Sequence, residues 1–450
     1  MKGSHNPNQN RPFSLSLYRA LTMCSAPALS YILYKRLKRG KEDPDRVSER
    51  RGIASRQRPP GHLIWIHAVS VGESLSALTF MTKLLHLYPE SHILLTTGTL
   101  TSARLISSRL PQQAIHQFSP LDHPAYVARF LDHWRPDIAF VIESELWPNL
   151  IRDTASRDIP IALINARMSE TSYKTWKRWP QTIKYLLACF DICLAQDQQS
   201  AVRLNDLGAP DTLVMGNLKF AAPALPVDES TLLNMQNQVG ARPLWLAAST
   251  HPGEEEIMAK AHKILSQSFP DLLTIIIPRH PERGADLKVT LHATGLGSAL
   301  RSSNEPISST TAIYIADTIG ELGLFYRLAP VAFIGGSLIA HGGQNPLEPI
   351  RVKCAILHGP HAFNFADIYR ELDEREASLM VNNAEDLAHE IQNLLTDKHR
   401  HRTQTEAASA ILTKNGDVIE RCFTALRPFL ADIDPAQPRI NAGNPSHARP

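Results

Sequence analysis

The sequence predicts an α/β protein built from two doubly wound domains with parallel sheets. Three observations predict it. From residue 60 onward, short apolar runs alternate with longer amphipathic ones, the βαβ signature of a parallel sheet covered on both faces. The alternation breaks between Lys219 and Arg242, where Ala221-Ala222-Pro223-Ala224-Leu225-Pro226 reads as a linker followed by a polar helical piece. A length of 450 residues exceeds one ordinary domain and suits two.

The chain divides accordingly. Residues 1–40 hold an apolar stretch, Phe13 to Tyr34, interrupted by Arg19 and followed by basic residues. The uninterrupted part, Ala20 to Tyr34, is short for a full bilayer span, and Ala26-Pro27-Ala28 mimics a cleavage site. The preferred reading is an uncleaved membrane anchor, either a short span or an interfacial helix, with Lys35 to Lys41 on the cytoplasmic side. Residues 41–220 form the first domain, with strands expected at Leu63–Ala68, His92–Thr96, Ile138–Glu143, Ile161–Asn165, Ile192–Ala195 and Thr212–Met215, and helices such as Glu73–Leu87 and Tyr126–His133 between them. Residues 221–242 are the linker. Residues 243–427 form the second domain, with strands at Leu244–Ala248, Leu272–Ile277, Ala312–Ile315, Val331–Ile334 and Ala355–Leu357. Residues 428–450 lie in a proline-rich stretch with few apolar residues and read as a disordered tail. Two such domains are expected to face a central cleft, where ligands of open α/β sheets bind.

Composition excludes several classes of function. A net charge of +3 carries no global nucleic-acid signal. The basic residues cluster between Lys35 and Arg58, a pattern that suits an anionic membrane surface. The five cysteines are odd in number and lack a CxxC pair, so neither a disulfide framework nor a zinc site is indicated, and Cys189 and Cys193 read as packing residues in a reducing compartment. No HExxH, paired acidic motif or His/Cys cluster marks a metal site, so no metal is expected.

The chemistry-bearing motifs fall at the carboxyl ends of the strands. Trp65-Ile66-His67-Ala68-Val69-Ser70-Val71-Gly72-Glu73 is a buried strand that breaks at a Ser/Gly turn and opens a helix with a carboxylate. Glu73 is expected to be ionised at neutral pH and able to accept a proton. Glu143-Ser144-Glu145-Leu146-Trp147-Pro148-Asn149 follows another strand, Asn165-Ala166-Arg167 the next, and Gly216-Asn217-Leu218-Lys219-Phe220 closes the domain with a lysine that can face developing negative charge. In the second domain, Val331–Ile334 runs into Gly335-Gly336-Ser337 and then His341-Gly342-Gly343-Gln344-Asn345-Pro346-Leu347-Glu348-Pro349. This order suggests backbone amides approaching a phosphate, a helix beginning at Asn345-Pro346, and Glu348 placed to accept from a ribose diol. Pro278-Arg279-His280-Pro281, Asp317-Thr318-Ile319-Gly320-Glu321 and Ser249-Thr250-His251-Pro252-Gly253-Glu254 are three further strand-end turns. Arg279 is a candidate for phosphate or carboxylate, and together the turns suggest a nucleotide cradle.

Taken together, these motifs closely resemble those of the bacterial lipid A 3-deoxy-D-manno-octulosonic acid (Kdo) transferases, over roughly residues 45 to 425. The resemblance rests on HAVSVGE (67–73), ESELWPN (143–149), NAR (165–167), GNLKF (216–220), STHPGEE (249–255), PRHPER (278–283), DTIGE (317–321), GGS (335–337), GGQNPLEP (342–349) and GPHAFNF (359–365). Small departures from the family pattern are Asn217 and Ala221 around Lys219, and Ile319 in place of a common Met. The resemblance implies the GT-B architecture, an N-terminal acceptor domain, a C-terminal CMP-sugar-binding domain, and inverting transfer of Kdo from CMP-Kdo to a lipid A precursor, lipid IVA, in lipopolysaccharide core biosynthesis. It implies a location on the cytoplasmic side of the inner membrane, with CMP-Kdo as donor substrate, no separate cofactor and no metal requirement. By motif, the resemblance implies Glu73 as the general base, Glu143 and Lys219 as stabilisers of the transition state, and Pro278, Arg279, Ile319, Gly320, Glu321, Asn345, Pro346, Leu347 and Glu348 as CMP-binding residues. Two alternatives stay open on the residues: a UDP-sugar 2-epimerase-like isomerase, which acts on free nucleotide sugars, and a non-catalytic membrane-docking protein.

Overall fold

A computed structural model describes residues 12–107 and 109–433. The chain forms two units, residues 1–222 with 416–450, and residues 223–415. The expected disordered tail lies outside the described residues from residue 434 onward.

The first unit contains seven strands: β1 (Leu63–His67), β2 (His92–Thr97), β3 (Ala114–Phe118), β4 (Ile138–Ile142), β5 (Ile161–Ala166), β6 (Ile192–Ala195) and β7 (Thr212–Val214). They lie side by side in the order β3-β2-β1-β4-β5-β6-β7, every pair parallel. β1 and β4 are buried along their whole length, as strands covered on both faces must be. On one face Phe80 packs edge-on against Phe140 and stacks on Phe423. On the other, Trp65, Phe130 and Trp134 form the core with Leu150, Ile183 and Leu187. β3 was not expected, because His116 and Gln117 interrupt its apolar character at the sheet edge.

Phe423 belongs to a helix, Val418–Leu430, that was assigned by sequence to the second domain. It instead completes the first: Val418, Cys422, Phe423, Leu426 and Leu430 are buried in one core cluster with Ile66, Phe80 and Leu84. The domain boundary at 427 is therefore replaced by a return of the chain at Gly416. Pro428 sits within this helix, so residues 428–430 are helical where a disordered tail was expected. The linker is also shorter than 221–242, since Glu229–Val239 is a helix of the second unit with Leu232, Met235 and Val239 buried.

The N-terminal segment is two helices, Phe13–Cys24 and Ala26–Lys38, divided at Ser25. Among the described residues, no helix is long and apolar enough to cross a membrane, so the short-span alternative does not hold for them. Arg19 explains the difference: it donates to both carboxylate oxygens of Asp153 at 3.0 Å and to Asn149 at 3.2 Å, while Tyr18 donates to Asp122 at 2.9 Å. These polar side chains fasten one face of the first helix to the protein. The basic cluster divides in the same way. Arg36 and Arg50 pair with the buried Glu42, and Arg46 with the buried Glu49, whereas Lys35, Lys38, Arg39, Lys41, Arg51 and Arg56 are exposed.

The second unit repeats the plan with β8 (Leu244–Thr250), β9 (Leu273–Pro278), β10 (Ser298–Leu300), β11 (Ile313–Ile315), β12 (Val331–Ile334), β13 (Ala355–His358) and β14 (Leu379–Met380). Their order is β10-β11-β9-β8-β12-β13-β14, again all parallel. β10 and β14 are short edge strands of three and two residues, too brief to show a period in the sequence. One core face joins Trp245, Ile276 and Phe333 to the helices Glu254–Leu265 and Ala384–Thr396 through Met258, Leu265, Leu387 and Ile391.

Because Leu426 is fully buried in the first unit's core, Leu426→Ala is expected to cost about 2–5 kcal/mol of stability. A urea titration that finds the variant within about 0.5 kcal/mol of the parent would show this helix to be peripheral.

Candidate active site

The strand order reverses between β1 and β4 in the first unit and between β8 and β12 in the second, where β10 and β11 are also interchanged at the edge. Loops leaving the two strands at such a point diverge to opposite faces and open a crevice at the carboxyl edge. Most of the motifs read from the sequence fall at these edges.

In the first unit, β1 ends at His67, which is fully buried, hydrogen-bonded to Thr96 at 2.9 Å, and pushed down to about 4 by burial. It stays neutral and packs. The chain then turns at Ser70, whose hydroxyl accepts from the Glu73 amide at 3.2 Å, while Glu73 Oε2 accepts from the Val69 amide at 2.7 Å. This reciprocal cap starts the helix Val71–Leu87 and fixes the Glu73 side chain. Glu73 is only 6% exposed. Burial pushes its carboxyl up to about 7, with nearby Glu145 and Glu143 adding repulsion against the hydrogen bonds from Ser70 and Val69. The expectation of a fully ionised Glu73 at neutral pH is thus corrected: desolvation leaves it poised between its two forms.

Glu143 follows β4 directly and adopts a left-handed backbone, φ 60°. Its Oε1 lies 3.2 Å from Lys219 Nζ. Lys219 comes from the short turn of helix Leu218–Ala221 after β7, started by Asn217, whose side chain accepts from the Lys219 amide at 3.0 Å. A Cβ placed on Gly72 would stand 3.9 Å from Lys219 Nζ, so the ammonium lies beside the Glu73 turn. The structure therefore brings Glu73, Glu143 and Lys219, dispersed over nearly 150 positions of sequence, to one edge. Glu145 joins them; burial and the Glu143 charge raise its carboxyl above the ordinary value, and it accepts from the Trp147 indole.

Two residues here carry no role in the sequence reading. Asn165, inside the NAR motif, is buried and links Glu143 to Leu218. Asp122 accepts from the Asn149 and Leu150 amides and so caps the helix Pro148–Ala155 that the ESELWPN motif opens. A polar residue in a strand otherwise apolar was the available signal for Asn165; Asp122 gave none.

In the second unit, Pro278 ends β9 and Arg279 is exposed just beyond it, its amide bonded to the Thr250 carbonyl at 2.9 Å. Ile319 is 88% exposed and Gly320 takes φ 91°, a conformation suited to glycine. Glu321 accepts two hydrogen bonds from Arg301 at 2.6 and 3.1 Å, which hold its carboxyl below the usual range. Asn345 Oδ1 accepts from the Leu347 amide at 3.1 Å and its Nδ2 donates to Glu348 at 3.2 Å. Pro346 precedes a helix of four residues, Leu347–Ile350.

Two expectations change here. The helix expected at Asn345-Pro346 is a single turn, and its first amide, that of Leu347, is bonded to Asn345. The glycine-rich turn after β12 does not present free amides either. Glu254, fully buried at the start of the helix Glu254–Leu265, accepts from Gly336 at 2.7 Å and from Ser337, Leu338 and His251 at 3.0 Å each. The protein's own carboxylate occupies the anion position that those amides create. His251 packs beside it, 3.8 Å from the His341 ring, and is lowered to about 4 by burial and then by His341, so it is neutral. Among the described residues, no group of three or more His, Cys, Asp or Glu is arranged to hold a metal ion.

Two doubly wound sheets, each with a polar cluster at the reversal of its strand order, define a two-domain enzyme of GT-B-like fold. The model of the 3-deoxy-D-manno-octulosonic-acid transferase family matches residues 45–222. A 3-deoxy-D-manno-octulosonic acid transferase of Rickettsia bellii is 36% identical over 417 residues, 92% of this chain and 99% of that protein. The chain belongs to the 3-deoxy-D-manno-octulosonic acid transferase family. A solved C-terminal CMP-Kdo binding domain of WaaA from Acinetobacter baumannii is 31% identical, with 41% of this chain and 96% of that one covered and a TM-score of 0.39. A UDP-GlcNAc 2-epimerase from Neisseria meningitidis, bound to UDP-GlcNAc, superposes with a TM-score of 0.57 over 81% of this chain and 100% of that one, at 11% identity. The epimerase likeness is one of fold.

An amide in place of the Glu254 carboxylate cannot accept from all four backbone donors, and each buried donor left unmet costs about 1–3 kcal/mol. Glu254→Gln is therefore expected to lower the thermal midpoint of the second unit clearly. An unchanged midpoint would show that the turn after β12 is held by other contacts.

Proposed function

We propose that this Kdo transferase moves Kdo from CMP-Kdo to a lipid A precursor with inversion at the anomeric carbon. The observation that carries the reading is the buried Glu73, held by the Ser70 and Val69 hydrogen bonds beside the Glu143–Lys219 pair. In this reading a hydroxyl of the acceptor gives its proton to the Glu73 carboxylate as its oxygen bonds to the anomeric carbon of Kdo. The bond from that carbon to the phosphate oxygen breaks, and CMP leaves as an anion. Lys219, steered by Glu143, stabilises the negative charge that develops. Arg279 meets the departing phosphate, and the segments at Pro278, Ile319 to Glu321 and Asn345 to Glu348 bind the rest of the nucleotide. No metal or separate cofactor is assigned a step.

The charge state of the base sets the pH dependence. A carboxyl raised to about 7 is half ionised at that value and becomes mostly ionised above it, so activity is expected to rise with pH through about 7 rather than near the ordinary carboxylate range. Glu73→Ala is expected to keep CMP binding and lose about 10²–10⁴-fold in turnover. The assay is incubation of purified protein with CMP-Kdo and a tetraacylated lipid A precursor, followed by mass spectrometry. Near parental transfer by the variant would remove the base assignment.

The same proposal gives the N-terminal helices a role at the cytoplasmic face of the inner membrane. Phe13, Leu17, Leu21, Met23, Tyr31, Ile32 and Tyr34 are exposed, and Lys35, Lys38, Arg39 and Lys41 follow them, also exposed. An apolar face flanked by cations suits an anionic lipid surface on which the helices lie. Leu17→Glu with Leu21→Glu is expected to abolish co-sedimentation with vesicles containing anionic lipid; retained binding would place the membrane contact elsewhere.

A further inference from the structure

Three chain segments converge on Asn165. It occupies the fifth position of β5, is 1% exposed, and takes a left-handed backbone with φ 54°. The pairing of β5 with β6 shifts register between Leu163 and Ala166, so the strand bulges where Asn165 stands. Its Oδ1 accepts from the Leu218 amide at 3.0 Å, at the start of the turn that carries Lys219. Its Nδ2 reaches Glu143 Oε1 at 3.4 Å, the same oxygen that lies 3.2 Å from Lys219 Nζ. The neighbours dictate which way the amide faces, because a backbone N–H needs an acceptor and a carboxylate needs a donor. Two more bonds tie the same ends together: the Glu143 amide donates to the Ile164 carbonyl at 2.9 Å, and the Ser144 hydroxyl donates to the Arg167 carbonyl.

We propose that Asn165 is a positioning residue for Kdo transfer, its side-chain amide holding the Glu143 carboxylate and the Lys219 turn in one fixed geometry. This rests on the roles proposed for Glu143 and Lys219. Glu143 departs from β4 in a conformation costly for a residue with a Cβ. Its side chain is directed by two neighbours, Lys219 and Asn165, and Asn165 is the one that also fixes where Lys219 begins. Asparagine is one of the few residues that accepts the left-handed backbone and offers both an acceptor and a donor on a short stem.

The test is Asn165→Asp in the full chain. Aspartate keeps the acceptor for Leu218 and tolerates the same backbone, but it turns a carboxylate oxygen toward Glu143. With Glu73, Glu143 and Glu145 on the same edge and Lys219 as their cation, a further negative charge disfavours the ionised base. The expected result is a fall in kcat of about 10–100-fold at neutral pH, a KM for CMP-Kdo within about threefold of the parent, and an acid limb of the pH–rate profile moved to higher pH. If the aspartate variant does not accumulate in folded form, Asn165→Gly decides. It relieves the positive φ and removes the side chain, and kcat is expected to fall about 10-fold or more with CMP binding retained. A purely structural role would lower the melting temperature of either variant and leave kcat and the pH profile in place below the transition; that result overturns the proposal. Absence of Kdo transfer by the parent chain removes the reaction assignment and this inference with it, whereas an active parent with insensitive Asn165 variants removes this inference alone.

Discussion

Burial of one carboxylate at the turn after β1 is the constraint on which the proposed chemistry depends. Glu73 is pinned by its own helix cap, so it cannot swing into water to lower the cost of its charge. The same geometry that starts the helix buries the carboxyl and raises its basicity. Helix capping and the proposed base function draw on one arrangement, since a carboxylate in the first turn satisfies a backbone donor and its desolvation raises its basicity.

The two units solve the charge problem at their strand-order reversals in opposite ways. The first gathers Glu73, Glu143 and Glu145 and offsets them with Lys219. The second builds an anion-binding turn and fills it from within, with Glu254 accepting four backbone amides. Filling the turn ties the loops after β8 and β12 to each other through one carboxylate, while Arg279 stays exposed at the same edge. Backbone strain follows the same pattern: Glu143, Asn165 and Ser249 all take positive φ at strand ends, the last two at register shifts of their sheets. Such positions persist because surrounding bonds over-determine them.

The N-terminal helices couple to this frame through polar bonds. Asn149, in the helix opened by Trp147-Pro148, donates to Thr22 and to the Asp122 carbonyl, and accepts from Arg19. A segment that is apolar in sequence is therefore two-sided in structure, with Leu15 and Leu33 buried and Phe13, Leu21 and Tyr31 exposed.

What the sequence determined by itself was set by local physics. Strands such as Leu63–His67 and Val331–Ile334 were legible because burial on both faces demands an unbroken apolar run, and the motifs at their ends because turns need Ser, Gly and Pro. Membership of the Kdo transferase family was legible from the order of those motifs. Tertiary structure decided what depends on pairing across distance. It placed Val418–Leu430 in the first unit, since an amphipathic helix carries no record of which sheet it will cover. It joined Lys219 to Glu143 and Asn165, set Glu254 against the amides of the glycine turn, and raised Glu73 to about 7. Charge state and hydrogen-bond partner are properties of an environment, and the environment exists only once the chain has folded.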